Sequence, residues 1–511
     1  MRRRPGRILT AAIAGALAMT SLSVSTGPAG AVDDVNTKKL RNAVTVGGIL
    51  QHERVLQRIA NNNDGTRASG TPGYKASAKY VKKTLRKAGY KVSQQAFRFP
   101  FFQELAPATL AQTSPTPTDY ETGTFSYSGS GDVTGTVVPI DVTIPPPAEP
   151  GSTSGCEASD FPAPPSDPAI ALIQRGSCDF GVKAANAEDA GYDAAIIFNE
   201  GQEGRTELTI GTLGQIVGIP VVGLSYEDGE AIYQQTEAGD VELNVTTSTL
   251  NKPNAKTWNI VADTRKGNKN KTVVVGAHLD SVTEGPGIND NGSGTAALLE
   301  IAEQIAKLKQ DPRQRVRFAF WGAEEGGLLG SEHYVASLPD RQLSKIVANL
   351  NFDMVGSPNY VRFVYDGDGS DTDTAGPPGS AQIEGIFNNY FAGQGMASEP
   401  TAFDGRSDYG PFIDVGIPAG GLFSGAEGVK TPEEAETYGG TAGEPYDPCY
   451  HQACDTMTNL NTAALNELGD AAAHATWTLA RTKSGFFEDG SLRHGKYRAP
   501  KTAYDGNLLR H

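Results

Sequence analysis

From Trp258 to Arg481 the chain alternates short apolar runs with amphipathic segments of helical period, and few folds satisfy that pattern. KTVVVGAH (271–278), VRFAFWGAE (316–324), KIVANLNFDMVG (345–356) and GIPAGGLFS (416–424) are rich in β-branched and aromatic residues and have strand length. Residues 293–307, 327–338, 381–394 and 462–481 instead space their apolar side chains along one helix face. In the first of these, Ala296, Leu299, Ile301 and Ile305 form that face. Strands this apolar must be covered on both sides, and strand–helix alternation makes successive strands parallel. The expected architecture is α/β, a mixed, mostly parallel sheet with helices on both faces.

Upstream, ILQHERVLQRIA (49–60) and residues 75–88 read as helices, and YKVSQQAFRF (90–99) as a strand. Composition then shifts. Residues 104–168 are rich in Thr, Ser, Pro and Gly, including IPPPAEPGSTSG (144–155). GTVVPI (135–140), AIALIQRG (169–176), DAAIIFNE (193–200) and IPVVGLS (219–225) are short β-like runs around one helix at 182–190. This predicts an inserted β-rich domain over 115–250, splitting the α/β domain into 32–114 and 251–485. A polar tail, 486–511, is a candidate for removal.

The first residues read as an export signal. Arg2, Arg3, Arg4 and Arg7 precede an apolar stretch, Ile8 to Met19, and Ala29-Gly30-Ala31 supplies small residues for cleavage. The stretch is short for a membrane span, so the mature chain is expected outside the cell, free of the membrane and starting near Val32. Four cysteines suit that compartment. The economical pairing, one of three, is Cys156 with Cys178 and Cys449 with Cys454. A formal charge of −15 argues against nucleic acid as a partner. The sequence leaves oligomeric state open.

Chemistry enters with His278, Asp290, Glu324, Glu325, Asp353 and His451, in GAHLDSV, NDNGSG, WGAEEGG, NFDMVG and YHQACD. His278, the Glu324–Glu325 pair and Asp353 each fall at the end of a predicted strand, where open α/β sheets bind ligands. Asp290 precedes a helix and can reach the same edge. Two histidines and three carboxylates suffice to hold two zinc ions, leaving one carboxylate as a base for metal-assisted hydrolysis. Adjacent side chains at a strand end diverge, so Glu324 and Glu325 divide these tasks, although position alone does not say which does which. Asp280, two residues after His278, is a candidate for orienting the ligands. The acid-rich run YDGDGSDTDT (365–374) lacks the EF-hand order and its glutamate, so calcium is only weakly supported and a loop is expected.

Taken together these segments resemble the secreted co-catalytic di-zinc aminopeptidases, the family that also includes the glutamate carboxypeptidases, and GTRASGTPGYKASAKYV (65–81) resembles its N-terminal block. The resemblance implies that His278 ligates one zinc and His451 the other, that Asp290 bridges them, and that Glu325 and Asp353 complete the set. It implies that Glu324 is the general base and that Tyr450 steadies the oxyanion. FDGRSDYGPF (403–412) is similar to a segment near the substrate, which makes Arg406 and Phe423 pocket candidates and peptides with large apolar N-terminal residues the expected substrates. ALIQRGSCDFGVKAANAEDAGYDAAIIFNE (171–200) and VGIPVVGLS (217–225) resemble a protease-associated domain. Two rivals stay open: a carboxypeptidase or dipeptidase on the same metal centre, and a non-catalytic binding protein on the same scaffold.

Overall fold

The computed structural model describes residues 35–165, 168–372 and 374–483. The expected signal at 1–31 and the tail at 486–511 lie outside the described residues.

Among the described residues thirteen strands join one sheet. Three parallel strands, Gln314–Trp321, Asn268–His278 and Ile346–Phe352, sit side by side near the middle of its peptidase half, and Ala419–Phe423 extends them in the same direction. Their alternate residues face opposite ways. Val273, Val275 and Ala277 enter the larger core with Leu299, Leu468 and Trp477, whereas Val274, Ala319 and Trp321 pack against Tyr334 and Phe412 on the other face. Both faces are therefore covered, which is why these strands read as continuous apolar runs. The helices Gly294–Lys307 and Thr462–Arg481 match the expected segments closely.

The insert is four parallel strands, Gly131–Ile140, Ala169–Gln174, Ala194–Phe198 and Val221–Leu224, with two helices where the sequence pattern predicts one. Helix Phe180–Asp189 contributes Ala184 and Ala187 to one of its cores, and helix Tyr226–Thr236 contributes Ile232 to the other. The disulfides Cys156–Cys178 and Cys449–Cys454 are both formed.

What sequence patterning did not anticipate is the connection. Strands Lys91–Ser114 and Glu242–Asp263 pair antiparallel from Lys91 opposite Asp263 to Ser114 opposite Glu242. One end of this ribbon lies against the catalytic strands through Ile260 and Phe320, and the other against the insert through Val245 and Val133. The expected strand at 90–99 thus continues to Ser114. Pro100 and Pro253 hide it: a proline cannot donate to the ladder, and the register shifts between Phe99 and Phe101. No helix among the described residues is long and apolar enough to cross a membrane.

Candidate metal centre and active site

The strands ending at His278 and Phe352 and the turn after Trp321 bring His278, Glu324, Glu325 and Asp353 to one edge. Asp290 arrives from the loop before Gly294–Lys307. That helix starts close under the strand ending at Phe352, because a Cβ at Gly294 would lie 2.2 Å from the Phe352 carbonyl oxygen. His451 comes from the turn closed by the Cys449–Cys454 bond and has a left-handed backbone, φ 56°. Ala323 and Met354, flanking Glu324 and Asp353, also have positive φ. Non-glycine residues in that region cost energy, and they cluster where side chains must be aimed.

Asp290 sits between two groups. Its Oδ1 is 3.1 Å from His278 Nε2, which lies 3.1 Å from Asp353 Oδ1 as well. Its Oδ2 is 3.2 Å from His451 Nε2, which lies 3.1 Å from Glu325 Oε2. Glu324 stands further back, with Oε2 3.9 Å from His278 Nε2. All five sequence-predicted ligands and Glu324 therefore meet in one cluster.

The cluster's field favours positive charge at two points. Burial acts to lower the His278 pKa, yet Asp353, Glu324 and Asp290 raise it well above the ordinary value. His451 behaves alike, burial opposing Glu325 and Asp290, which push it to about 11. Burial holds Glu324 well above the carboxylate range against the pull of His278, and burial with Asp290 pushes Glu325 to about 7. Glu325 Oε1 and His278 Nδ1 are buried without a hydrogen-bond partner. Ligand atoms of His278, Asp290 and Glu325, and of His278, Glu324 and Asp353, lie within 4.8 Å of one another. Imidazoles and carboxylates at these separations suit zinc.

The surrounding residues fix these groups. Asp280 Oδ1 is 3.8 Å from His278 Nδ1, too far for a hydrogen bond, and accepts instead from the Glu324 amide at 3.4 Å. It reaches the site through the backbone of Glu324. Ser407 donates to Asp353 Oδ2 and is itself held by Asn351 Nδ2. Asp455 accepts from the amides of Asn289 and Asp290, so the disulfide-closed turn carries both His451 and the brace of the Asp290 loop. Tyr450 stacks on His451 at 3.8 Å between ring centroids, and its hydroxyl accepts from Arg406 at 3.4 Å. Arg406 also donates to Glu427 at 2.6 Å, and Phe423 lies against Phe363.

Sequence reasoning missed the deepest support. Arg67 is fully buried, and its guanidinium donates to the carbonyls of Leu279, Pro286 and Gly287, spanning the loop between His278 and Asp290. Glu53, also fully buried with both oxygens lacking a hydrogen bond, feels the Arg67 charge from beneath Gly292.

The acid-rich run gives a different picture. Asp366, Asp368 and Glu384 bring ligand atoms within 4.8 Å. Yet Asp366 already accepts from the amides of Gly369, Asp371 and Thr372, as a loop-stabilising carboxylate does.

Two chambers meet at the cluster. The smaller, about 70 Å³, is lined by Met354, Tyr365, Arg406, Phe423 and Tyr450 besides the cluster itself. Arg406 is the one lysine or arginine lining it among the described residues.

Residues 259–476 match the model of peptidase family M28, and residues 133–232 match the PA domain. The chain is 50% identical over 452 residues to an aminopeptidase of Pseudomonas aeruginosa, covering 87% of this chain and 83% of that protein. It is 38% identical over 453 residues to leucine aminopeptidase 2 of Trichophyton rubrum, covering 88% of each. Among solved structures it is similar to a zinc aminopeptidase from Bacillus subtilis, with a TM-score of 0.59, 27% identity, and coverage of 88% of this chain and 99% of that one.

Proposed function

The chain belongs to peptidase family M28 as an aminopeptidase with an inserted PA domain, and from that premise we propose that it removes large apolar N-terminal residues, leucine foremost, from peptides outside the cell. Zinc dependence is implied by the family, and the division of Asp290 between the two histidine–carboxylate groups supports two ions per chain. His278 and Asp353 would hold one, His451 and Glu325 the other, with Asp290 shared. Zinc at these positions supplies a lowered water pKa and a polarised scissile carbonyl.

The chain's own residues do the rest. Glu324, set back from the histidines, accepts the proton of the attacking water and returns it to the departing amine. The Tyr450 hydroxyl, held in place by Arg406, donates to the oxyanion. Ser407 keeps Asp353 fixed, and the substrate's free amine lies near Asp353 and the neighbouring acids. Phe423 and Met354 provide apolar wall for one side chain.

One observation carries the choice of peptide end. Beyond the carboxylates that would hold zinc, the small chamber is lined by Glu324 and Asp404, and Arg406 is paired with Glu427. A terminal ammonium is attracted to those two acids, whereas a terminal carboxylate finds no lysine or arginine free of a partner among the described lining residues. The test is hydrolysis of leucine p-nitroanilide, which has a free amine and no carboxylate, followed by mass spectrometry of a digested peptide library. Release of nitroaniline and stepwise loss of N-terminal leucine are expected. An intact anilide with loss of C-terminal residues would establish the carboxypeptidase rival. Export is supported by the basic and apolar leader and by the two disulfides.

A further inference from the structure

The second chamber is the larger, and nothing in the mechanism above uses it. Glu325 and His451 form a wall common to both. Beyond them a cleft of about 520 Å³ opens between the peptidase domain and the insert. Its floor is Phe99, Phe101 and Phe102, carried by the ribbon. Tyr127 and Ile210 of the insert form the far wall, and Glu284 lies opposite. Ile210 is 57% exposed, so its side chain is open to whatever enters the cleft. Its loop is nevertheless anchored, since Ser126 donates to the Gly211 carbonyl at 2.8 Å and accepts from the Leu213 amide at 3.0 Å. Of the carboxylates on the lining, Glu325 would hold zinc and Asp280 is buried, which leaves Glu284 exposed to the cleft, and among the described residues no lysine or arginine lines it.

We propose that this cleft binds the substrate residues that follow the scissile bond, selects apolar side chains there, and rejects a free carboxylate placed close to that bond. The inference rests on the aminopeptidase reading. If the first residue fills the small chamber and its carbonyl lies at the cluster, the rest of an extended peptide leaves past Glu325 and His451, and the cleft is the space on that side. Phenylalanines and Ile210 reward apolar side chains by removing them from water. Glu284, with no lysine or arginine beside it on the lining, repels the terminal carboxylate of a dipeptide, which would sit one residue beyond the cut. Longer or amidated peptides escape that repulsion. The insert then acts as part of the substrate site, and Ile210 as a residue that determines specificity.

The test compares kcat/KM for leucinamide, the dipeptide leucyl-phenylalanine and leucyl-phenylalanyl-alanine amide, with the wild-type enzyme and with Ile210→Glu and Ile210→Leu. The tripeptide amide is expected to exceed the free dipeptide by about tenfold or more. In Ile210→Glu the ratio of tripeptide amide to leucinamide is expected to fall about tenfold, and Ile210→Leu is expected to restore it. Ile210 is exposed, and an unchanged thermal midpoint shows that the variant is folded. A ratio within about twofold of wild type in folded Ile210→Glu overturns the cleft as the binding site. A wild-type enzyme that cleaves none of the three overturns the aminopeptidase reading itself, and the cleft proposal with it.

Discussion

Glu324→Gln is expected to retain its metal and to lose turnover by about 10²- to 10⁴-fold, the usual contribution of a positioned general base. Glutamine keeps the shape and the hydrogen-bonding reach of the side chain but cannot take a proton. Glu324 Oε2 lies 3.9 Å from His278 Nε2, whereas Asp290, Asp353 and Glu325 each approach a histidine to 3.1 or 3.2 Å. Removing its charge therefore takes away the proton acceptor while leaving the two histidine–carboxylate groups intact. Steady-state kinetics beside metal analysis of the same preparation make the check. A variant with near-normal turnover would remove Glu324 as the base, and one that loses both metal and activity would make it a ligand.

Arg67→Met is expected to cost about 3–5 kcal/mol of folding stability, because each buried acceptor left without its donor costs about 1–3 kcal/mol. The arginine is fully buried and holds the carbonyls of Leu279, Pro286 and Gly287, so its loss leaves those acceptors unpaired. Glu53 would remain beneath. Burial raises its pKa well above the ordinary value and Arg67 opposes that rise, so in the variant the rise is larger. A carboxyl raised in the folded state holds a proton that the unfolded chain has released. Its contribution is thus present below the unfolded carboxyl range and is lost as pH climbs through the folded value. Below the wild-type folded value both proteins keep the proton and the deficit is constant, and it grows only as pH climbs past that value toward the higher one of the variant. Urea unfolding at several pH values measures it, and pairing Arg67→Met with Glu53→Gln should recover part of the loss because the two sites are coupled. A deficit under about 1 kcal/mol would count against Arg67 as the brace of the Asp290 loop.

The two variants separate what was legible in the sequence from what was not. His278 and Asp353 could be placed because each ends or follows an apolar strand, and strand ends of an α/β sheet share an edge. The Glu324–Glu325 division came from the family resemblance, since sequence position treats neighbours alike, and the 3.9 Å between Glu324 and His278 Nε2 supports it. Arg67 and Glu53 were invisible for a physical reason. A lone charged residue in a helix or turn is ordinarily solvated, and nothing in its neighbours' spacing says that it is buried. The ribbon was missed because Pro100, Pro253 and a polar composition look like loop, yet paired backbones tolerate both at a register shift. The insert's strands were located correctly from their apolar runs. Their parallel pairing was not, because it depends on the helices between them.

The claim on which the rest depends is that Asp290 is shared by two ions. Elemental analysis of the purified enzyme, loaded with zinc and then freed of excess, tests it directly. Two zinc ions per chain are expected, falling to about one in His451→Ala, because that substitution removes a ligand from one group and leaves His278, Asp353 and Asp290 in the other. A single ion in the wild-type protein, or unchanged content in His451→Ala, would contradict it.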